Sequence, residues 1–149
     1  PMAEHRLRPR GIVNAAPGSS NASLVDVTWP IATDSLVKRD VADLNGWSSF
    51  RLAKFFEAMD ALTADAAYRH TDAARRGLAC TTAGHYFSRK LRRTPPDTDV
   101  AIRSYVTNAG SSSLEVRTDA LIRGSASEED QLLNVCHTVM VCVDAHTVK

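Results

Sequence analysis

A chain of 149 residues is long enough for one domain with a hydrophobic core that needs no disulfides. Its 18 basic and 17 acidic residues nearly cancel, which disfavours nucleic acid or a membrane surface as partner, and no apolar run approaches the roughly 20 residues of a membrane-spanning helix. The three cysteines form no CxxC pair, and the spacing of Cys and His gives no zinc signature. We therefore expect no metal site, and an intracellular protein with reduced, buried thiols at Cys80, Cys136 and Cys142.

Residues 1–22 are rich in Pro, Gly, Ser, Asn and Ala and are predicted to form a flexible N-terminal arm, with residues 23–149 as a single domain. The basic stretch EHRLRPR in this arm contains Glu4 and lacks a long amphipathic repeat, so we expect a cytoplasmic rather than a mitochondrial protein. Two short apolar runs follow, broken by Pro30 and Asp34, and SLVKRDV is the better strand candidate of the two. The pair Asn45-Gly46 then indicates a turn.

A long amphipathic helix is predicted after this turn. Ser48 and Ser49 are suitable N-caps, because a hydroxyl can accept a hydrogen bond from a first-turn N–H group. The helix should run to about Ala67 or Tyr68 and bury a single apolar stripe. The stripe consists of Leu52, Phe55, Phe56, Met59, Leu62 and Ala66. Alanines on the other faces would let neighbouring backbone approach closely, as in a wrapped helix.

Four segments after Gly77 show the period of two that is typical of strands. They are LACTTAGHYF (78–87), DVAIRSYVTNAG (99–110), SSSLEVRTDALI (111–122) and LLNVCHTVMVCVD (132–144). The last segment is apolar on both faces, which places it in the middle of a sheet that is covered on both sides. The sequence therefore predicts an α+β fold in the order strand, long helix and four antiparallel strands.

Several segments resemble, in order, those of the hotdog-fold acyl-CoA thioesterases, over roughly residues 35–146. They are FRLAKFFEAMDALTADAA for the central helix, HYFSRKLRRTPPDTDVAIRSYV for the next strand and its crossing, AGSSSLEVRTDAL for the Gly-x-Ser-Ser strand, and NVCHTVMVCVDAHT for the closing strand. The resemblance implies a hotdog fold, in which a curved antiparallel sheet is wrapped around one long central helix. It also implies an acyl-CoA hydrolase of lipid metabolism that works as a homodimer or a dimer of dimers, with its site between subunits.

The resemblance suggests two catalytic carboxylates. Asp43-Leu44-Asn45-Gly46 matches the Asp-x-x-Gly of the branch similar to 4-hydroxybenzoyl-CoA thioesterase. The acyl-CoA hydrolase-like branch carries its acid on the helix, eight residues after a glycine, and the same count from Ser49 reaches Glu57. The His-x-Asn and Gly-Gly signatures of many members are absent here. The spacings of the two branches disagree by a residue or two in this chain, so the match does not decide between the two acids.

Thioester hydrolysis needs a group that activates water or attacks directly, and positive charge where the carbonyl oxygen becomes negative. Asp43 or Glu57 would serve the first need, with Asn45 or Ser48 orienting water. Amides at the helix start would serve the second. The expected substrate contacts are Gly46, Trp47, Ser48 and Ser49, with Arg89, Lys90 and Arg92 on the phosphates of coenzyme A. No cofactor is expected, since coenzyme A is part of the substrate.

Each candidate also has a structural interpretation. Asp43 could simply cap its turn, and the basic cluster could be a solvated loop. Glu57 lies nearly opposite the buried stripe, so it is either a solvated glutamate paired with a nearby Arg or Lys, or an acid that faces a partner subunit. Asp60 is expected to be solvated or paired, and His85 and His137 to be satisfied residues of the strands.

Two other functions stay open. A non-catalytic acyl-CoA-binding module would keep the fold without the reaction, and the absent His-x-Asn and Gly-Gly signatures favour it. A hotdog dehydratase needs a histidine beside the helix acid, and the sequence has none between His5 and His70. The leading hypothesis is therefore an acyl-CoA thioester hydrolase.

Overall fold

The computed structural model describes residues 20–41, 51–89, 97–124 and 129–145. The elements, in chain order, are α1 (Ser20–Ser23), β1 (Val25–Trp29), α2 (Ser35–Val41), α3 (Leu52–Thr71), α4 (Ala73–Arg76), β2 (Leu78–Arg89), β3 (Val100–Ala109), β4 (Ser113–Ile122) and β5 (Gln131–Asp144). The predicted α+β fold, with one strand, one long helix and four antiparallel strands, is confirmed. The predicted arm ends in α1, where Ser23 is buried and its Oγ accepts a hydrogen bond from Val106 N.

One five-stranded sheet, in the order β1-β3-β4-β5-β2, forms the body of the fold. Every neighbouring pair is antiparallel. A tight hairpin joins β3 to β4, closed by a 2.7 Å hydrogen bond from Gly110 N to Ser113 O. β5 lies inside the sheet, as predicted, whereas β1 and β2 are its edges.

Helix α3 packs one face against the sheet. Phe55, Met59, Leu62 and Ala66 are all buried, which confirms most of the predicted stripe. Phe56 does not belong to it, because a step of about 100° around the helix turns its ring towards the free edge of β2, where it is 37 % exposed. We call the side of the sheet that faces α3 the inner face and the other side the outer face.

Two helix boundaries differ from the sequence prediction. The SLVKRDV segment is helix α2 and not a strand, because Asp34 Oδ1 accepts hydrogen bonds from Leu36 N at 2.9 Å and Val37 N at 3.1 Å and so caps a helical turn. Helix α3 begins at Leu52 with Arg51 in the cap position, so the predicted serine caps do not occupy it. At its other end α3 runs to Thr71, further than predicted.

Strand β5 is covered on both sides over only part of its length. Its residues 133–136 are buried, as predicted. Beyond residue 136 the prediction that both faces of the strand are covered is wrong for the single chain, because α3 covers only the inner face. On the outer face Val139 is exposed, and His137 and Val141 are half-buried.

A disulfide joins Cys80 to Cys142, so the prediction of three reduced thiols is wrong for two of them. The ladder between β2 and β5 places these residues directly opposite each other, although 62 positions separate them in sequence. Cys136 remains a buried free thiol, and burial raises its pKa. With the disulfide present, cysteine usage no longer supports a reducing compartment. Within the described ranges no helix is long and apolar enough to cross a membrane.

Replacing both disulfide cysteines, as Cys80→Ala/Cys142→Ala, should lower the free energy of unfolding by roughly 2–4 kcal/mol, because the open chain gains conformational freedom when it unfolds. Urea denaturation with and without a thiol reductant measures this. The wild type and the matched control Cys136→Ala should both lose stability on reduction, and the double variant should not respond. Three free thiols in the unreduced, unfolded wild type would show that the bridge does not form.

Candidate functional site

Two backbone donors at the start of α3 have no acceptor among the described residues. Arg51 N donates to Val41 O at 2.6 Å, and the first bond inside the helix runs from Phe55 N to Arg51 O at 3.1 Å. In the described part of the chain the N–H groups of Ala53 and Lys54 reach no acceptor, and the side chain of Arg51 makes no capping bond. The first turn also contains no acidic residue. The positive end of the helix dipole therefore lies directly after residues 42–50, which the structure does not describe.

Most of the predicted site residues belong to stretches that the structure does not describe. These are Asp43, Asn45, Gly46, Trp47, Ser48, Ser49, Lys90 and Arg92. Arg89 is the last residue of β2, opposite Val135 of β5, and only its backbone is described. The predicted roles of all these residues stay predictions.

Glu57 lies on the side of α3 that faces away from the sheet. Its side chain is 66 % exposed, and its Oε2 lies 3.0 Å from Lys54 Nζ. The hydrogen bond from Lys54 to Glu57, together with the nearby charge of Asp40, raises the pKa of the lysine. In the single chain Glu57 is thus the solvated, ion-paired glutamate of the structural interpretation.

Side chains of α3 contact the edge strand β2 at two places, and we call this contact surface the edge groove. Phe56 from the helix and Phe87 from the strand meet edge to face, with ring centroids 5.5 Å apart. Further along, the Thr82 hydroxyl donates a long hydrogen bond to Asp60 Oδ1 at 3.4 Å. The groove therefore combines exposed aromatic surface with a carboxylate and a hydroxyl on facing elements.

The sequence prediction missed the edge groove. Asp60 was expected to be solvated or paired, and its partner is a strand hydroxyl that the sequence does not indicate. The register of β2 against β5 shifts between Thr82 and Gly84 and again between Phe87 and Arg89. Each bulge interrupts the alternation of side chains, so a strict period of two assigns faces wrongly beyond it.

The two strand histidines are hydrogen-bonded, as predicted. His85 Nδ1 lies 2.9 Å from Thr138 Oγ1, and His137 Nδ1 lies 3.3 Å from Glu115 Oε1. Among the described residues, His, Cys, Asp and Glu side chains form no group of three or more that could hold a metal ion.

A cavity of about 1070 Å³ opens at the end of β1, β3 and β4. Its acids have partners: Asp26 pairs with Arg123 at 2.5 Å, and Asp99 accepts a hydrogen bond from Ala32 N at 2.8 Å. Asp97, at the rim, pairs with Lys38. These contacts pair each acid that lines the cavity and stabilise this end of the sheet.

Glu115 is the centre of a polar cluster on the outer face of the sheet. Its carboxylate accepts hydrogen bonds from the hydroxyls of Thr107 and Tyr86, each at 2.8 Å. The Tyr86 ring stacks on His137 with centroids 4.9 Å apart. The bonds from Thr107 and then Tyr86 lower the pKa of Glu115, and the bond to Glu115 raises the pKa of Tyr86. The cluster lies on the side of the sheet opposite α3, so it ties β2, β3, β4 and β5 together rather than forming part of the edge groove.

Because the folded-state pKa of Glu115 lies below the unfolded value of 4.5, its carboxylate stabilises the fold above that pH, and the stabilisation is lost as the pH falls through the folded pKa. We expect Glu115→Gln to cost about 1 kcal/mol at pH 7 and to approach wild-type stability in acid. Urea denaturation between pH 3 and pH 7 measures the difference. The exposed control Glu129→Gln should track the wild type throughout, and a cost for Glu115→Gln that does not change with pH would contradict the assignment.

No protein-family model and no curated protein matches the chain. Solved structures do match. An acyl-CoA hydrolase from Staphylococcus aureus superposes on 86 % of this chain and 70 % of its own, at 18 % identity and a TM-score of 0.61. A thioesterase family protein from Silicibacter pomeroyi covers 90 % of this chain and 84 % of its own, at 16 % identity and a TM-score of 0.60. A hexameric acyl-CoA thioesterase covers 90 % and 76 %, at 20 % identity and a TM-score of 0.56.

These matches extend over nearly the whole chain and define its architecture. The protein has the hotdog fold that acyl-CoA hydrolases and thioesterases share, and the resemblance read from the sequence is confirmed at the level of the fold.

Proposed function

We propose that the protein hydrolyses the thioester bond of an acyl-coenzyme A, releasing the free acid and coenzyme A. The observation that carries the proposal is the hotdog fold itself, in which the acid-free first turn of α3 would direct the positive end of the helix dipole at the thioester carbonyl. The Staphylococcus aureus hydrolase with the same fold was solved in complex with butyryl coenzyme A and coenzyme A, which supports the choice of substrate class.

The chemistry follows from the groups available near this helix start. A carboxylate takes a proton from water, and the water oxygen attacks the carbonyl carbon of the thioester. The amides stabilise the oxyanion of the tetrahedral intermediate. When the intermediate collapses, the carbon–sulfur bond breaks and the coenzyme A thiolate leaves, taking the proton from the carboxylic acid.

Three carboxylates are candidates for the base. Asp43 and Glu57 come from the sequence resemblance, and Asp60 joins them because it lies in the edge groove with Thr82. Asn45 would orient the water. Substrate contacts are assigned to Gly46, Trp47, Ser48 and Ser49, and the coenzyme A phosphates to Arg89, Lys90 and Arg92.

A second copy of the chain is the proposed partner. β2 is a twelve-residue edge strand that pairs on one side with β5 and on the other with no described strand. Long edges with exposed apolar residues are templates for strand pairing, and Tyr86, Phe87 and Phe56 are exposed beside this edge. Pairing of β2 with its copy would bring Glu57 or Asp60 close to the partner subunit. A hexameric neighbour of the same fold is consistent with further assembly.

A non-catalytic acyl-CoA-binding module is the second candidate. The exposure of Glu57 and its ion pair with Lys54 favour it, since neither feature is expected of a general base with a raised pKa. Binding of an acyl-CoA without hydrolysis would select this alternative.

A panel of acyl-CoAs, with thiol release followed by a colorimetric reagent, tests hydrolysis directly. One of the variants Asp43→Asn, Glu57→Gln and Asp60→Asn should lower kcat about 100-fold or more, as expected for loss of a general base. The matched control is Asp65→Asn on the same helix, where Asp65 pairs with Arg69 at 2.8 Å and has no proposed role. It should stay within about threefold of the wild type.

No turnover on any acyl chain length by the folded wild type would overturn the enzyme assignment. Equal losses in Asp65→Asn and in the candidate variants would show that the helix is merely perturbed by changes of charge.

A further inference from the structure

The disulfide between Cys80 and Cys142 lies at a row of the sheet where the amides of both residues bond elsewhere. Cys80 N donates to the Tyr68 hydroxyl at 3.4 Å. Cys142 N donates to Ser112 O at 2.8 Å. The two cysteines thus form a non-hydrogen-bonded pair, in which opposite residues of antiparallel strands come closest, and their Cα atoms are 4.1 Å apart. At this row the bridge supplies the link that the two amides do not.

The bridge lies in the middle of the first regular segment of β2. Residues 78–82 pair in register with residues 140–144 of β5, and Cys80 is the central one. The segment starts directly after Gly77, a left-handed residue that ends α4, and it ends at the register shift after Thr82. None of its side chains is buried. A short edge segment with an irregularity at each end and little buried surface is typical of the parts of a fold that open locally.

The same segment contains the hydroxyl that meets the helix acid. Thr82 lies two residues beyond Cys80, so both side chains are on the inner face, and the Thr82 hydroxyl donates to Asp60 Oδ1 at 3.4 Å. This bond and the bond from Cys80 N to Tyr68 are both long and exposed, so they hold the segment only weakly. The position of Thr82 against Asp60 therefore depends on how firmly β5 holds the segment.

A thiol from solution can reach the bridge, because both of its cysteines are only half-buried. The Tyr68 hydroxyl occupies the outward amide of Cys80, so strand pairing with a second copy is expected further along β2. The free thiol Cys136 is 0 % exposed and lies six residues, about 20 Å, from Cys142 along β5. It is too far away to exchange with the bridge, so reduction yields two thiols without rearrangement.

We propose that the disulfide is a redox-sensitive clamp. Closed, it holds residues 78–82 on β5 with Thr82 against Asp60, and reduction by a thiol loosens the segment and weakens this contact of the edge groove. The thiolate attacks one cysteine sulfur, the S–S bond breaks, and the other cysteine leaves as a thiolate that takes up a proton. A second thiol attacks the mixed disulfide and releases the first cysteine, and the reductant leaves as its own disulfide. The loosening stands by itself, whereas an effect on turnover rests on the proposed function.

Thiol labelling tests whether the clamp opens in the folded protein. The wild type is incubated with dithiothreitol without denaturant, the reductant is removed, and a maleimide pulse identifies the accessible thiols by peptide mass. Cys80 and Cys142 should be labelled, whereas the buried Cys136 should react only when urea unfolds the protein. A bridge that stays oxidised, or labelling of all three cysteines at one rate, would overturn the proposal, since the bridge would then open only on global unfolding.

Hydrogen exchange measures the loosening. In the reduced wild type the amides of residues 78–82 should exchange at least about tenfold faster than in the oxidised protein, while those of β4 stay within about threefold. Cys80→Ala/Cys142→Ala should exchange fast with and without reductant, and the matched control Cys136→Ala should respond as the wild type does. Unchanged exchange over residues 78–82, an equal increase in β4, or a reduced protein that does not stay folded would overturn the clamp.

Turnover shows whether the clamp regulates the proposed reaction. Reduced protein is freed of reductant by gel filtration without oxygen, and the loss of thioester absorbance is followed, because a thiol reagent would react with the opened clamp. Reduction should lower kcat/KM about threefold or more in the wild type and in Cys136→Ala, and should not affect Cys80→Ala/Cys142→Ala.

An active enzyme with the same kcat/KM in both redox states would overturn the regulatory role of the clamp. A wild type that hydrolyses no acyl-CoA in either state would overturn the proposed function instead, and labelling and hydrogen exchange would still decide whether the clamp exists.

Discussion

The packing of one face of α3 against the inner face of the sheet is the constraint on which the other features depend. A 20-residue helix is about 30 Å long, so a single buried stripe fixes both where it starts and how it is rotated. Once Phe55 and Met59 are buried, Phe56 must turn towards β2 and Glu57 towards solvent. The positions of the amide donors at the helix start, the edge groove and the exposed acid are all consequences of this one contact.

The same packing leaves the single chain incomplete. The helix covers only the inner face, so the outer edge of β2 pairs with no described strand and the aromatic rings beside it are exposed. A second copy that pairs along β2 would satisfy both at once. Such pairing could also make an exposed helix acid such as Glu57 part of a site at the subunit boundary, because the partner would shield its carboxylate from solvent.

The sequence predicted the elements whose signal is long and periodic. The stripe of α3 spans about four turns, and the strands after it alternate over ten or more residues, so type and order were correct for these elements. Helix α2 was mistaken for a strand because seven residues are too few to separate a period of 3.6 from one of two, and the deciding contact is the Asp34 cap. Its apolar residues Leu36, Val37 and Val41 suit either structure.

Features that depend on register across the sheet could not be predicted. The disulfide exists because Cys80 and Cys142 are opposite each other in the ladder, and the bulges near Thr82 and Phe87 decide which strand residues face α3. Of the candidate site, the sequence therefore predicted the long helix and an acid on its far side, but not the edge groove.

Urea denaturation of Phe55→Ala and Phe56→Ala tests the central claim most directly, since the same substitution is made at adjacent positions of one helix. Burial of Phe55 predicts a loss of about 3–5 kcal/mol in the free energy of unfolding for Phe55→Ala, and a loss of about 1 kcal/mol for the partly exposed Phe56. Equal losses, or a larger loss for Phe56→Ala, would mean that α3 is rotated on the sheet, and would contradict the placement of every site described above.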